Sequence, residues 1–114
     1  MPPIILIGPP GAGKTSVGKA LAKKLTLKFL DSDKIVEEKS GKSISEIFIT
    51  DGEPAFRDME RSAVIDLLEN QDGVIALGGG SVMDLEVSKR LLPMANVVFL
   101  DVSISNAAPR VGFN

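Results

Sequence analysis

The sequence predicts a three-layer αβα fold, with helices on both faces of a mostly parallel sheet, and three observations carry that expectation. Short apolar runs rich in Ile, Val and Leu alternate with amphipathic helical patterns along the 114 residues. This is the order that a parallel sheet with crossover helices requires. The first run, Ile4-Ile5-Leu6-Ile7, is continuously apolar, as expected of a central strand buried on both faces. It leads straight into Gly8-Pro9-Pro10-Gly11-Ala12-Gly13-Lys14-Thr15, the G-x-x-x-x-G-K-[ST] pattern of a phosphate-binding loop between a strand and a helix. With ordinary residue frequencies, that pattern arises by chance at roughly one position in tens of thousands.

The elements follow in order. A strand is expected over Pro3–Ile7. After the loop, Val17, Leu21 and Leu25 recur at helical spacing with Ala20 beside them, and Lys19, Lys23 and Lys24 lie on the other side. Lys28-Phe29-Leu30 reads as a second strand that ends in Asp31-Ser32-Asp33, where Asp33 is expected to cap a short helix through Glu38, stopped by Gly41. Ser43-Ile44-Ser45-Glu46 is a capping box, so another short helix should run to about Thr50. Asp51-Gly52 breaks it. A longer helix starts at Glu53, tolerates Pro54 in its first turn, and shows Phe56, Met59, Ala63, Val64 and Leu67 as its apolar stripe. Val74 to Leu77 is a third strand stopped by Gly78-Gly79-Gly80, Asp84 to Leu92 is helical, and Asn96 to Leu100 is a fourth strand. Ser103 or Ser105 could begin one more helix, which Pro109 would interrupt. One domain over 1–114 is expected, with residues 33–70 as a helical insert suited to substrate contacts.

Composition narrows the chemistry. Hydrophobic residues make up 44% and charged residues 25% of the chain, ordinary for a globular protein with a real core. The net charge of −2 argues against a broad nucleic-acid surface, so anions must be held by a few focused groups. With neither Cys nor His, there are no disulfides, thiol nucleophiles, His bases or His-ligated metals. No apolar run approaches membrane-spanning length, and the expectation is a cytoplasmic monomer.

The candidate site gathers at the carboxyl ends of the strands, where open α/β sheets bind ligands. Gly11 and Gly13 permit a tight turn of inward N–H groups, and the following helix adds its positive end. Lys14 would supply a point charge to the outer phosphates and Thr15 a hydroxyl ligand to Mg²⁺. Asp31 and Asp33 follow strand two; one carboxylate suits the metal and the other a phosphoryl acceptor. Asp101, after strand four, is a rival for either task. Three glycines exceed what a turn needs, and Gly78, Gly79 and Gly80 suit close approach of a ligand to bare backbone. Arg57 and Glu60 share a helical face. They are either a surface ion pair or an arginine clamp oriented by its carboxylate. Phe48 and Phe56 are core residues or the apolar wall of a pocket.

Taken together, Gly11-Ala12-Gly13-Lys14-Thr15-Ser16, Asp31-Ser32-Asp33, Ile47-Phe48 with Asp51-Gly52-Glu53 and Phe56-Arg57, and Leu77-Gly78-Gly79-Gly80 closely resemble shikimate kinase, collinearly and over essentially the whole chain. The resemblance implies a P-loop NTPase-type fold, with four strands in this stretch, and phosphoryl transfer from ATP to the 3-hydroxyl of shikimate in aromatic amino-acid biosynthesis. It implies that Gly11 to Ser16 hold the ATP phosphates, that Thr15 ligates Mg²⁺ and that Asp31 reaches the metal through water. Asp33 would bind the acceptor hydroxyls and accept the reacting proton. Arg57, oriented by Glu60, would bind the carboxylate of shikimate, Gly79 would offer its N–H, Phe48 and Phe56 would line the ring, and Arg110 would contact adenine. Family members continue past the position of Asn114 with a fifth strand, a lid carrying a catalytic Arg, a second carboxylate-binding Arg and a terminal helix. This sequence is therefore expected to be an N-terminal portion. Another small-molecule P-loop kinase, or a nucleotide-binding fragment without turnover, remains an open alternative.

Overall fold

A computed structural model describes residues 2–101. Among them the chain forms β1 (Ile4–Ile7), α1 (Lys14–Leu25), β2 (Phe29–Asp31), α2 (Ser32–Ser40), α3 (Ile44–Thr50), α4 (Glu53–Asn70), β3 (Val74–Ala76), a 3₁₀ turn (Ser81–Met83), α5 (Leu85–Leu91) and β4 (Val97–Phe99). All strand pairs are parallel and the order is β2-β3-β1-β4. β3 thus inserts between the two strands that precede it in sequence, and Ile5 pairs with Ile75.

Alternation along the central strands divides the core between the two faces. Ile5, Ile75 and Leu77 pack against Val64 and Leu67 of α4 and Val87 and Leu91 of α5. Leu6, Val74 and Ala76 pack with Ala22 of α1 on the opposite face. The result is the αβα arrangement expected from the sequence. A third cluster, Val36, Ile47, Phe56 and Ala63, binds α2, α3 and α4 together beside the sheet. Among the described residues β4 lies at the edge, with Val98 and Phe99 exposed.

Local signals set most helix ends. Ser43 and Glu46 form the reciprocal capping box of α3, Gly41 ends α2 in a left-handed conformation, and Pro54 sits in the first turn of α4. Asp84 caps α5 by accepting the Glu86 and Val87 N–H groups while its other oxygen accepts from Arg61.

Three expectations are corrected. The inward face of α1 is Gly18 and Ala22, with Val17 and Leu25 more than two-fifths exposed and Leu21 half-buried. The cause is close approach: a Cβ at Gly18 would collide with the Phe29 ring, so small residues face the sheet. The cap of α2 is Asp31 rather than Asp33, because Asp31 keeps an extended backbone and accepts the Asp33 N–H, whereas Asp33 is already helical. Finally, Phe56 is a core residue but Phe48 is 39% exposed. The expected helix start at Ser103 or Ser105, Pro109 and the candidate adenine contact Arg110 lie outside the described residues.

Candidate active site

A cavity of about 360 Å³ opens beyond the carboxyl ends of β1, β2 and β3, lined among others by Gly11, Gly13, Lys14, Thr15, Asp31 and Gly79. The loop enters α1 through Gly13 at φ 89°, and no side chain caps the helix. Its leading N–H groups therefore remain for an anion, where the positive end of the helix reinforces them. Lys14 Nζ folds back over the loop, donating to the carbonyls of Gly8 at 2.7 Å and Pro9 at 3.0 Å. Burial draws its pKa below the ordinary value, against the opposing effect of the Asp33 and Asp31 carboxylates. Ala12 is buried and Ser16 lines the cavity.

Asp31 has two tasks. Oδ1 accepts the Asp33 N–H at 2.9 Å and so begins α2, while Oδ2 accepts the Thr15 hydroxyl at 3.2 Å. One hydroxyl and one carboxylate side by side are hard oxygen donors that suit Mg²⁺, which takes its other ligands from water and substrate phosphates. Among the described residues no group of three or more Asp or Glu could hold a metal by itself. The donor set therefore fits an ion that arrives with a phosphate ligand.

Asp33 lines the same cavity. Its Oδ1 is buried against Gly78 with no hydrogen-bond partner, so nothing there offsets the cost of burying the charged carboxylate. Burial first, then the neighbouring Asp31 and Glu60 carboxylates, push its pKa up to about 6, with Lys14 opposing. Asp101 follows β4, which lies across β1 from β3, whereas Asp31 and Asp33 both line the cavity.

Each glycine of the triple has a different neighbour. Real Cβ atoms keep beyond 3.0 Å of other heavy atoms; one at Gly78 would sit 2.5 Å from both Asp33 Oδ1 and Glu60 Oε2. At Gly79 it would meet Pro10 Cδ of the phosphate-binding loop at 2.6 Å, and at Gly80 the Arg57 Nη1 at 2.5 Å. The segment is bare because two carboxylates, the loop and a guanidinium all close on it. Arg57 Nη1 donates to Glu60 at 2.9 Å and Nη2 to Glu53 at 3.3 Å. Burial works to lower the Arg57 pKa, but these bonds outweigh it and raise the value. Glu60 is 4% exposed, so the pair is no simple surface bridge. The Arg57 guanidinium also lies 5.2 Å from the centre of the Phe56 ring, which packs 4.9 Å from that of Phe48.

The structure thus brings together Lys14, Thr15, Asp31, Asp33 and Gly79 around one cavity, while Arg57, Glu60 and Gly80 line a second cleft of about 390 Å³, and Phe48, Phe56 and Gly78 line neither. A more apolar groove between α2 and α4, lined by Val36, Met59 and Ala63, holds none of these residues. Sequence reasoning gave no role to Pro10, which lines the cavity and abuts Gly79, or to Ser32, whose buried hydroxyl bonds the Gly78 N–H. A small hydroxyl residue between two carboxylates at a strand end was the available signal for the second.

A parallel sheet in three layers, with a phosphate-binding loop facing an aspartate pair across the strand ends, defines a P-loop protein of the kinase class. The shikimate kinase family model matches residues 10–114. The shikimate kinase of Thermobifida fusca is 47% identical over 99% of this chain and 65% of its own length. That of Rhodococcus jostii is 42% identical over 99% and 67%. Among solved structures, Acinetobacter baumannii shikimate kinase in complex with shikimate superposes with a TM-score of 0.86 at 38% identity, covering 97% of this chain and 62% of the other. The Aquifex aeolicus enzyme gives 0.80 at 35% identity, covering 91% and 62%. The chain belongs to the shikimate kinase family, and it spans about two thirds of the length of the curated relatives it matches.

Proposed function

We propose that the protein transfers the terminal phosphoryl group of ATP to the 3-hydroxyl of shikimate, giving shikimate 3-phosphate and ADP for aromatic amino-acid biosynthesis. The observation that carries this reading is the placement of Asp33, which lines one cavity with the phosphate-binding loop and stands over Gly78 beside Glu60, the partner of Arg57. A small hydroxylated acid would satisfy both ends of that arrangement, and a relative of the same fold holds shikimate.

The residues divide the work as follows. Gly11 to Ser16 cradle the phosphates, and Lys14 exchanges the loop carbonyls for phosphate oxygens, bringing its charge to where negative charge grows. Thr15 and Asp31 would hold Mg²⁺, which on binding neutralises phosphate charge; the 3.2 Å hydrogen bond between them supports pairing the two as its ligands. Asp33 accepts the acceptor's hydroxyl and, with its pKa near 6, is ionised at neutral pH and able to take the proton as the new P–O bond forms. Arg57 pairs with the acceptor carboxylate in the planar fashion that guanidinium favours, with Glu60 fixing its orientation. Phe48, exposed and backed by the buried Phe56, walls the ring, and Gly78, Gly79 and Gly80 let it approach bare backbone. On this reading the 33–70 segment is the acceptor-binding insert, and the protein works as a cytoplasmic monomer. No helix among the described residues is long and apolar enough to cross a membrane.

The test is ADP release by the full-length protein with ATP, Mg²⁺ and a panel of acceptors: shikimate, gluconate and nucleoside monophosphates. Stimulation by shikimate is expected. Stimulation by gluconate or a nucleotide and none by shikimate would overturn the assignment.

A further inference from the structure

Ser32 stands between the two carboxylates at the end of β2, and its hydroxyl ties that turn to the triple glycine. The residue is fully buried, and Oγ accepts the Gly78 N–H at 2.9 Å. Its place follows from the way two paired strands part. β2 and β3 run in register as far as Asp31 and Ala76. The next N–H, of Leu77, turns away to the Leu6 carbonyl of β1, so that of Gly78 turns back toward β2, following strand alternation. By then β2 has become α2, whose carbonyls are engaged in helical bonds. The Ser32 hydroxyl supplies the missing rung.

The consequences reach every neighbour of the triple glycine. Gly78 lies under Asp33 and Glu60, Gly79 against Pro10 and Gly80 under Arg57. A segment of three glycines has no side chains of its own to hold it in place. Without Ser32 Oγ, the buried Gly78 N–H would lose its acceptor, and the segment would shift to find another.

We propose that Ser32 is a positioning residue, whose hydroxyl holds the triple glycine in register with Asp33 and so sets where the acceptor lies relative to the phosphate-binding loop. The proposal deepens the reading under Proposed function and rests on it for the identity of the acceptor. A hydroxyl that merely filled space would affect folding alone and leave the two substrates equally served.

The experiment compares Ser32→Ala and Ser32→Thr with wild type in the full-length protein, by steady-state kinetics and by exchange of the Gly78 amide in NMR spectra. Ser32→Ala is expected to lower kcat/KM for shikimate by about tenfold to a hundredfold while KM for ATP stays within about twofold. Ser32→Thr, which keeps the acceptor oxygen, should recover most of the loss. Gly78 protection should persist in Ser32→Thr and disappear in Ser32→Ala. Wild-type kinetics in Ser32→Ala, or equal losses for both substrates with no rescue by Thr, would overturn the proposal. Should Ser32→Ala fail to fold, Ser32→Cys, close in shape and a weaker acceptor, should show the same split at smaller size, and its absence would count against Ser32. If wild type does not phosphorylate shikimate, the function assignment falls. The amide then decides: lost protection in Ser32→Ala upholds the positioning role, and unchanged protection ends it.

Discussion

Asp33 and Gly78 are so close that a Cβ on the glycine would stand 2.5 Å from the carboxylate oxygen Oδ1. The same Cβ would stand 2.5 Å from Glu60 Oε2, so a single methyl group here would displace two carboxylates. Gly78→Ala is therefore expected to lower kcat/KM for shikimate by about a hundredfold, the scale of a misplacement near 1 Å, with nucleotide affinity much less affected. Calorimetric titration with ADP beside steady-state kinetics would show the split; equal losses would mean the whole strand end had moved.

Lys14 bonds two loop carbonyls and has the Asp31 and Asp33 carboxylates as its charged neighbours. Lys14→Ala should reduce kcat by about 10²–10³-fold, the range seen when one charge-stabilising donor is removed, and should weaken ATP binding. Unchanged kinetics would take Lys14 out of the mechanism.

Arg57→Ala removes the partner of a carboxylate that is 4% exposed. Because the arginine side chain is itself 38% exposed, the stability cost should be discounted to about 1–3 kcal/mol from the value for a fully buried pair. The KM for shikimate should rise far more than the KM for ATP. If both rise equally, the pair is structural and the acceptor carboxylate binds elsewhere.

Asp31→Asn separates the two tasks of that residue. Asn caps helices as well as Asp does, so α2 and the melting temperature should be nearly unchanged. The Mg²⁺ concentration needed for half-maximal rate should rise about tenfold or more. A titration of rate against Mg²⁺ checks this, and an unshifted requirement would remove Asp31 from the metal site.

Asp33 links activity and stability to pH with opposite signs. Its pKa in the folded chain, about 6, lies above the ordinary 3.8, so between those values the folded state binds more protons than the unfolded one. Stability from this group therefore falls as pH rises from about 4 to 6 and stays lower above 6. Activity should do the reverse, rising through an apparent pKa near 6 as the base ionises. Asp33→Asn should lose most turnover yet melt higher than wild type at pH 7.5, with the gap narrowing as pH falls through 6 and closing near 4. A melting temperature below wild type at pH 7.5 would show that the buried charge is compensated.

The sequence by itself determined the features whose causes are local. The glycines and lysine of the loop, the Ser43–Glu46 capping box, the stop at Gly41 and the alternation of strands with helices all act within a few residues. Reading them required no knowledge of distant neighbours. The aspartates, the triple glycine and the Arg57–Glu60 pair were visible as motifs for the same reason. Only the tertiary structure decided what those motifs touch. It placed β3 between β2 and β1, turned Gly18 rather than Val17 toward the sheet, and gave the cap of α2 to Asp31. It also assigned Gly78 to two carboxylates, Gly79 to Pro10 and Gly80 to Arg57, and joined Ser32 to a glycine 46 positions away. Those outcomes depend on close packing between segments far apart in the chain, where steric fit selects the partner and no nearby residue records the choice.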